Sequence, residues 1–282
     1  MKKITEEAIR RYETNLFICE KAPSTVSKYI KDVRNFYLVL GDKELEKRDV
    51  IFYKQSLEAR YAPTSVNAAL SSINGFFRFM GWHDVTVKSL KLQKQIFISE
   101  EKELSKTEYE RLIRAAKDSK NERLYLLMQT ICSTGIRVSE LEYITVEALG
   151  GGIARINCKG KQRRVFLPRR LCDSLKKYAK SRKIKSGPVF VTKNGNPLDR
   201  SNIWSDMKRL CKSAGVSEKK VFPHNLRHLF ARTYYSLQKD IVRLADVLGH
   251  SSVNTTRIYT AEGGAVHRRQ IQKLGLLFLE PC

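Results

Sequence analysis

A histidine and a tyrosine lie nine residues apart in the stretch LGHSSVNTTRIYTAEG, residues 248–263. They are His250 and Tyr259. A tyrosine hydroxyl titrates near pH ~10, so at neutral pH it is a poor nucleophile unless its surroundings activate it. Tyr259 is therefore either a packed aromatic or a hydroxyl set up to react, and this stretch alone does not decide between the two.

Basic side chains precede this pair at turns and helix starts. Arg137 follows a glycine in STGIRVSEL, and Lys159 lies in CKGKQRR, which has the composition of a hairpin turn. His224 and Arg227 are three residues apart in PHNLRHLFA, and this spacing places them on one face of a helix.

Together, these residue types could break and rejoin a phosphodiester. Two arginines can hold both non-bridging oxygens of a phosphate as negative charge builds, and histidines can donate to the same oxygens or move a proton. A lysine can protonate the leaving alkoxide, and a tyrosine can attack phosphorus to form a covalent phosphotyrosine. Such chemistry needs neither ATP nor metal, and the sequence has neither a P-loop nor a magnesium-type acidic cluster.

Each residue also has an ordinary structural interpretation. An arginine, a turn lysine or a helix-capping histidine is commonly just solvated or salt-bridged, and Tyr259 taken alone could belong to the core. Tyr234 and Tyr235 are rivals for the tyrosine role, although both lie in a helix whose pattern suggests packing. Lys161 is a rival to Lys159, since the sequence does not fix the hairpin register.

The charge balance indicates a polyanionic partner. The 282 residues carry a formal net charge of +24, and nucleic acid is the commonest ligand of so basic a chain. The surplus is uneven, with +5 on residues 1–100 and +19 on residues 101–282. We therefore expect a nucleic acid as the partner, and the second part of the chain is much more basic than the first.

The first part of the sequence is predicted to be helical throughout. PSTVSKYIKDVRNFYLVL and PTSVNAALSSINGFFRFMG both open on helix-start residues and repeat apolar positions at helical spacing. Two further helices are expected at 4–20 and 48–60. We interpret residues 1–83 as a four-helix domain and residues 84–103, where the periodicity is lost, as a linker.

Residues 104–282 are predicted to form a mixed α+β domain. The hairpin is expected to run as strand GGGIARINC, turn KGKQRR and strand VFLP. The remaining segments are predicted to be helices, at 106–118, 121–134, 139–143, 169–181, 200–214, 224–238, 240–248, 251–258 and about 265–279. The fold class expected for the chain is therefore mainly α with one small β-hairpin.

No feature indicates a cofactor, a metal site or a membrane segment. The six cysteines form no CxxC pair and suit reduced thiols in a cytoplasmic protein. The basic N-terminus lacks the apolar stretch of a signal peptide, and LGLLFL near the end is too short to span a bilayer.

Four stretches together resemble the tyrosine recombinase, or phage integrase, family in its compact Xer-type form. TGIRVSEL, HNLRHLFA and LGHSSVNTTRIYT are similar to that family's three boxes, and CKGKQRRVFLP is similar to its lysine hairpin. STVSKYIKDVRNF and PTSVNAALSSINGFFRF also fall where the helices of its core-binding, SAM-like domain do. The similarity covers nearly the whole chain, and three boxes and a lysine hairpin in the family's order are a specific signal.

The resemblance implies a DNA strand exchange reaction. Five residues would surround the scissile phosphate, namely Arg137, Lys159, His224, Arg227 and His250. Tyr259 would be the nucleophile, leaving a 3′-phosphotyrosine and a free 5′-hydroxyl. Family members act as a dimer on each site and a tetramer across two sites, and the apolar helix at 265–279 would insert into a neighbouring subunit. The location implied is the cytoplasm, at the nucleoid.

Two departures and three alternatives accompany the resemblance. The sequence has Gln238-Lys239-Asp240 where the family usually has a glycine-containing turn, and EALGGGIA is richer in glycine than usual. A type IB topoisomerase or a telomere resolvase would share the chemistry, but such chains usually carry extra domains. A catalytically inactive DNA-binding regulator of the same fold is the other alternative, and the presence of every expected chemical residue argues against it.

Overall fold

The chain consists of two compact units, residues 1–94 and residues 95–282. The computed structural model describes residues 2–92, 100–158, 161–192, 194–259 and 272–273. Helices and one two-stranded antiparallel sheet make up its regular structure, which confirms the predicted class. The division between the units falls inside the segment expected to be a linker, whose bounds stay a prediction.

The first unit contains four helices, as predicted from its periodicity. Thr5 caps the first helix by accepting a hydrogen bond from the backbone of Ala8, and a proline opens the second and fourth. Their apolar faces meet in a core that includes Phe36, Phe76 and Phe77. The helices are α1 (Glu6–Ile18), α2 (Pro23–Leu40), α3 (Lys47–Glu58) and α4 (Pro63–Phe79).

Residues immediately after α4 pack back onto the first unit. Val85 is buried in the core of that unit, in a short 3-10 helix at His83–Val85. Two asparagines of α4 then hold the extended backbone that follows. Asn74 exchanges hydrogen bonds with the backbone of Val87, and Asn67 does the same with Leu90. The ordered structure of the first unit therefore continues to about residue 90.

The second unit is a larger set of helices around one hairpin. A capping box between Ser105 and Glu108 starts its first helix, which has the bounds that the sequence predicted. The longer helices are α5 (Lys106–Asp118), α6 (Glu122–Thr134), α8 (Arg169–Ser181), α9 (Arg200–Ala214) and α10 (Pro223–Gln238). The shorter helices are α7 (Val146–Gly151), α11 (Ile241–Leu248) and α12 (Val253–Thr256), with 3-10 helices at Val138–Tyr143 and Arg257–Tyr259.

The two strands of the hairpin have other bounds than expected. Strand β1 (Ile153–Cys158) pairs with β2 (Lys161–Phe166), and Cys158 lies opposite Lys161. The glycines at 150 and 151 belong to α7, so β1 is shorter than predicted. QRR, which we had assigned to the turn, lies within β2. This correction matters because a strand residue has a fixed face.

Two other expectations concern the end of α10 and the segment after Tyr259. Lys239, in the turn where the family usually has glycine, adopts the left-handed conformation with φ 52° and ends α10. The apolar helix expected at 265–279 lies outside the described residues, apart from residues 272–273. Among the described residues, no helix is long and apolar enough to cross a membrane.

Candidate active site

A left-handed glycine brings Arg137 to the site. Helix α6 ends at Gly135, whose φ is +68°. A Cβ at this position would meet Cδ1 of Phe230 at 2.4 Å. Glycine is therefore required here, both for the left-handed backbone and for the close approach of Phe230. The chain then turns and Arg137 starts the next 3-10 helix with its side chain 40% exposed. The stretch STGIR therefore presents an accessible guanidinium on a rigid corner.

A buried carboxylate, Glu140, holds the arginines of the site. Its side chain is only 2% exposed and accepts hydrogen bonds from the backbone N–H and from Nη1 of Arg137. It also accepts from Nη2 of Arg163 at 2.6 Å, and Nη1 of Arg227 lies 4.0 Å away. A buried carboxylate needs such partners, since an unpaired buried charge is strongly unfavourable.

Arg227 is fully buried, which is unusual for an arginine. Its Nη1 donates to the backbone oxygen of Gly135, and its Nη2 donates to that of Leu248 at 2.8 Å. Nη2 also contacts Nε2 of His250 at 3.0 Å. The Nε–H of Arg227 has no hydrogen-bond partner among the described residues. Two backbone oxygens and a histidine thus hold this buried cation in place.

His250 links this arginine to the end of the chain. It follows Gly249, which has φ +65° and on which a Cβ would meet Cδ of Arg163 at 2.5 Å. Arg227 can only donate, so Nε2 of His250 accepts in that contact. Nδ1 therefore carries the ring proton and donates to Oγ1 of Thr256 at 2.9 Å. Both ring nitrogens of His250 are engaged.

Tyr259 is a buried residue, with 4% of its surface exposed. It lies in the last described 3-10 helix and packs with Ala231, Leu244 and Leu248. Its ring stacks on His250 at a centroid distance of 6.0 Å and an interplanar angle of 15°. Tyr259 is thus at once a packed aromatic and a neighbour of the arginine–histidine pair.

A cleft of about 800 Å³ opens beside these groups. Arg137, His224 and Arg227 all line it, and α9 contributes Arg200 and Trp204. His224 lies in the first turn of α10 and is exposed to the cleft. Three arginines around one opening make it suited to an anion, since the guanidinium group donates to phosphate oxygens in a fork.

Burial and neighbouring cations shift the titration of the site. Burial, reinforced by the charge of Arg137, lowers the pKa of Arg227 to about 10, so it stays protonated at neutral pH. Burial and the neighbouring arginines lower the pKa of His250 to about 4. The pKa of His224 is lowered by the same causes. The histidines are therefore neutral, as the hydrogen bonds of His250 require.

Comparison with known proteins agrees with this architecture. The model of the phage integrase family matches residues 102–263, and that of the phage integrase N-terminal SAM-like domain matches residues 9–83. The chain belongs to the phage integrase family. Because the matches cover both units, the membership confirms the resemblance inferred from the boxes.

Relatives of known class extend over almost the whole chain. A tyrosine recombinase XerA of Thermococcus kodakarensis is 32% identical over 90% of this chain and 90% of its own length. A tyrosine recombinase XerA of Pyrococcus furiosus is 29% identical over 98% and 96%. As a member of the phage integrase family with such relatives, the chain is a site-specific tyrosine recombinase. The alternative of an inactive regulator is not favoured.

The fold also matches that of solved phage integrase family members. A lambda integrase tetramer bound to a Holliday junction aligns with a TM-score of 0.75 and 18% identity, covering 91% of this chain and 77% of that chain. At this identity the comparison shows the fold alone.

The structure brings together five of the six residues expected for phage integrase chemistry. Arg137, His224 and Arg227 line one cleft, His250 contacts Arg227, and Tyr259 stacks on His250. Lys159 lies outside the described residues, between β1 and β2 in the sequence. The roles of all six residues remain proposals.

Sequence reasoning missed three residues that hold the site. Glu140 lies three residues after Arg137, at the spacing of a helix-capping pair, and this signal was available. Arg163 lies two residues before the buried Val165, so strand alternation would have turned it inward once the register was known. His228 is four residues after His224, on the same helix face. Arg163 was missed because it was assigned to the turn. His228 was missed because only His224 and Arg227 of the same stretch were considered.

Proposed function

We propose that this chain cleaves and rejoins double-stranded DNA through a 3′-phosphotyrosine intermediate formed on Tyr259, exchanging strands between two sites. One observation carries the proposal. Tyr259 stacks on His250, which is hydrogen-bonded to the buried Arg227. A tyrosine that contacts a histidine, which in turn contacts an arginine, suits attack on a phosphate, because the cation can stabilise the charge that develops there.

The two arginines are proposed to bind the non-bridging oxygens of the scissile phosphate. Arg137 reaches the cleft from an exposed corner, whereas Arg227 reaches it from a fixed buried position. The cleft supports this, because both arginines line it and a guanidinium donates to phosphate oxygens in a fork. His224, in the same cleft, would donate a further hydrogen bond.

In the covalent step, the Tyr259 oxygen attacks phosphorus and the bond to the 5′-oxygen breaks. The leaving oxygen takes a proton, which we assign to Lys159 at the hairpin tip, with Lys161 as its rival. The product is a 3′-phosphotyrosine with a free 5′-hydroxyl. Attack by the 5′-hydroxyl of a partner strand reverses the step, so no ATP is consumed and the phosphate bond energy is retained.

We propose that the protein acts as a homo-oligomer, a dimer on each site and a tetramer in synapsis. The net charge of +24 supports DNA as the ligand. The solved lambda integrase tetramer on a Holliday junction shows that this fold is compatible with such an assembly. Exchange of the apolar segment at 265–279 between subunits would connect neighbours. A DNA substrate would place the protein in the cytoplasm, at the nucleoid.

A nicked suicide substrate tests the proposal. The nick lets a short strand diffuse away after cleavage, so a covalent complex accumulates that survives denaturing electrophoresis. We expect it to form in the presence of EDTA and without ATP. A protein that only binds DNA would shift the substrate in a native gel and give no denaturation-resistant band, and this result would refute the proposal.

A further inference from the structure

Two imidazole rings pack against Tyr259. The ring of His250 is stacked on it, whereas the ring of His228 meets it edge to face, with a centroid distance of 4.9 Å and an interplanar angle of 90°. His228 lies in α10, four residues after His224 and on the same helix face. The reaction requires the Tyr259 hydroxyl to lose a proton. These two imidazoles are in ring contact with Tyr259, and in this state no hydrogen bond joins the hydroxyl to the unpartnered Nε2 of His228.

The hydrogen bonds distinguish the two rings. His250 uses Nε2 to accept from Arg227 and Nδ1 to donate to Thr256. His228 has a buried Nε2 with no hydrogen-bond partner among the described residues. A buried polar atom left without a partner costs about 1–3 kcal/mol, and a phenyl ring would pack edge to face without that cost. The nitrogen of His228 therefore calls for an explanation other than packing.

The charges around His228 keep it neutral and able to accept. Burial, followed by the charges of His224, Arg232 and Arg227, lowers its pKa to about 4. The groups facing it are these three on its own helix, Tyr259 and His250 after α11, and Glu103, which pairs with Arg232. A bound phosphate would add negative charge beside Arg227 and so relieve the repulsion that disfavours protonation of His228.

From these contacts we propose that Nε2 of His228 is the base that accepts the hydroxyl proton of Tyr259 as Tyr259 attacks the phosphate. The inference rests on the proposed function. In the step, the O–H bond of Tyr259 breaks and an N–H bond forms on His228, while the Tyr259 oxygen bonds to phosphorus and the 5′-oxygen leaves with a proton from the hairpin lysine. In rejoining, His228 returns the proton to the departing tyrosine oxygen.

The ring of His224 extends this contact towards solvent. It lies 4.6 Å from the ring of His228, and His224 itself lines the open cleft. The three rings of Tyr259, His228 and His224 thus form a continuous row from the buried nucleophile to the cleft. A proton taken up by His228 has His224 as its next acceptor.

The test is the single-turnover rate of covalent complex formation on the nicked substrate. His228→Phe keeps an aromatic ring in the same place and removes the nitrogen. We expect it to slow the step by about 10²- to 10⁴-fold, the usual worth of general base catalysis, with DNA affinity unchanged within about twofold. His83→Phe, the same change at an exposed histidine of the first unit, should leave the rate unaltered.

A second substitution separates a base from a packing contact. A fluorinated tyrosine that is already ionised near neutral pH, introduced at position 259, needs no base. In the His228→Phe background it should recover at least about tenfold of the rate, whereas with His228 intact it should change little. If His228→Phe is slow and the fluorinated tyrosine does not raise its rate, His228 is a packing residue and the proposal is wrong. If His228→Phe does not fold, His228→Gln carries the same comparison.

The outcomes also separate this inference from the function on which it rests. Covalent complex formed by the wild-type chain, together with a wild-type rate in His228→Phe, refutes the base and leaves the proposed function intact. Absence of complex from the wild-type chain refutes both.

Discussion

Glu140 and Arg163 are 23 positions apart, and their side chains meet in a 2.6 Å hydrogen bond beneath the site. The same carboxylate holds Arg137, and Arg227 lies next to it. One buried anion therefore orients three cations that would otherwise repel one another. This network connects the stretches TGIRVSEL and HNLRHLFA with the hairpin.

Replacing that anion should destabilise the second unit. Glu140→Gln keeps the shape but leaves three cations without their counter-charge, so we expect a loss of about 2 kcal/mol in the free energy of unfolding. Urea denaturation measures it. The exposed neighbour provides the matched control, because Glu142→Gln should change stability by less than about 0.5 kcal/mol. Equal effects of the two variants would contradict the network.

Substitution of Gly249 is predicted to destabilise the protein both through its left-handed backbone and through a clash with Arg163. Gly249→Ala places a Cβ 2.5 Å from Cδ of Arg163. Gly215 ends α9 in the same left-handed conformation, with open space around its Cβ position. Gly215→Ala should therefore lower the free energy of unfolding by about 1 kcal/mol, the cost of a left-handed backbone at alanine. Gly249→Ala should lower it by at least about 1 kcal/mol more, because of the clash. Thermal melts of both variants would show the difference, and equal losses would refute the clash.

Stability should fall as the pH drops below neutral. The pKa values of His228 and His250 are about 4 in the folded chain, against an ordinary 6.5. Below pH 6.5 the unfolded chain binds protons that the folded chain does not, so unfolding is favoured progressively from pH 6.5 down to about 4. Urea midpoints at neutral pH and near pH ~5 measure this. His228→Phe should flatten the slope and His83→Phe should not, and a slope that is unchanged in His228→Phe would contradict the assignment.

The sequence predicted the helices and most of the site because their signals are local. Apolar periodicity and caps placed α5, α8 and α9 at their observed bounds. Arg137, His224, His250 and Tyr259 were identified from short stretches whose residue types suit phosphate chemistry. Neither inference needed any knowledge of how distant segments meet.

What the sequence did not show depends on register and on long-range contact. Arg163 was assigned to a turn because its neighbours are polar and basic, and only the pairing of Cys158 with Lys161 places it in β2. That Glu140 would serve three arginines could not be inferred, because two of them come from elements far along the chain. The edge-to-face contact between His228 and Tyr259 likewise arises from the packing of α10 against the last described turn.

The lysine assignment is testable with a modified leaving group. If Lys159 protonates the 5′-oxygen, Lys159→Ala should slow cleavage by about 10²- to 10⁴-fold. A substrate with a 5′-bridging sulfur, which leaves without a proton, should restore much of that rate. Rescue of Lys161→Ala instead would move the role to Lys161, and equal defects on both substrates would remove the lysine from the proton transfer.

The most direct measurement of the central claim is covalent complex formation by Tyr259→Phe on the nicked substrate. The variant loses one hydroxyl, so we predict native DNA affinity and no denaturation-resistant protein–DNA band. Tyr234→Phe and Tyr235→Phe, the matched changes in α10, should form the band at the wild-type rate. A covalent band from Tyr259→Phe, or its loss in one of the other two variants, would contradict the assignment of Tyr259 as the nucleophile.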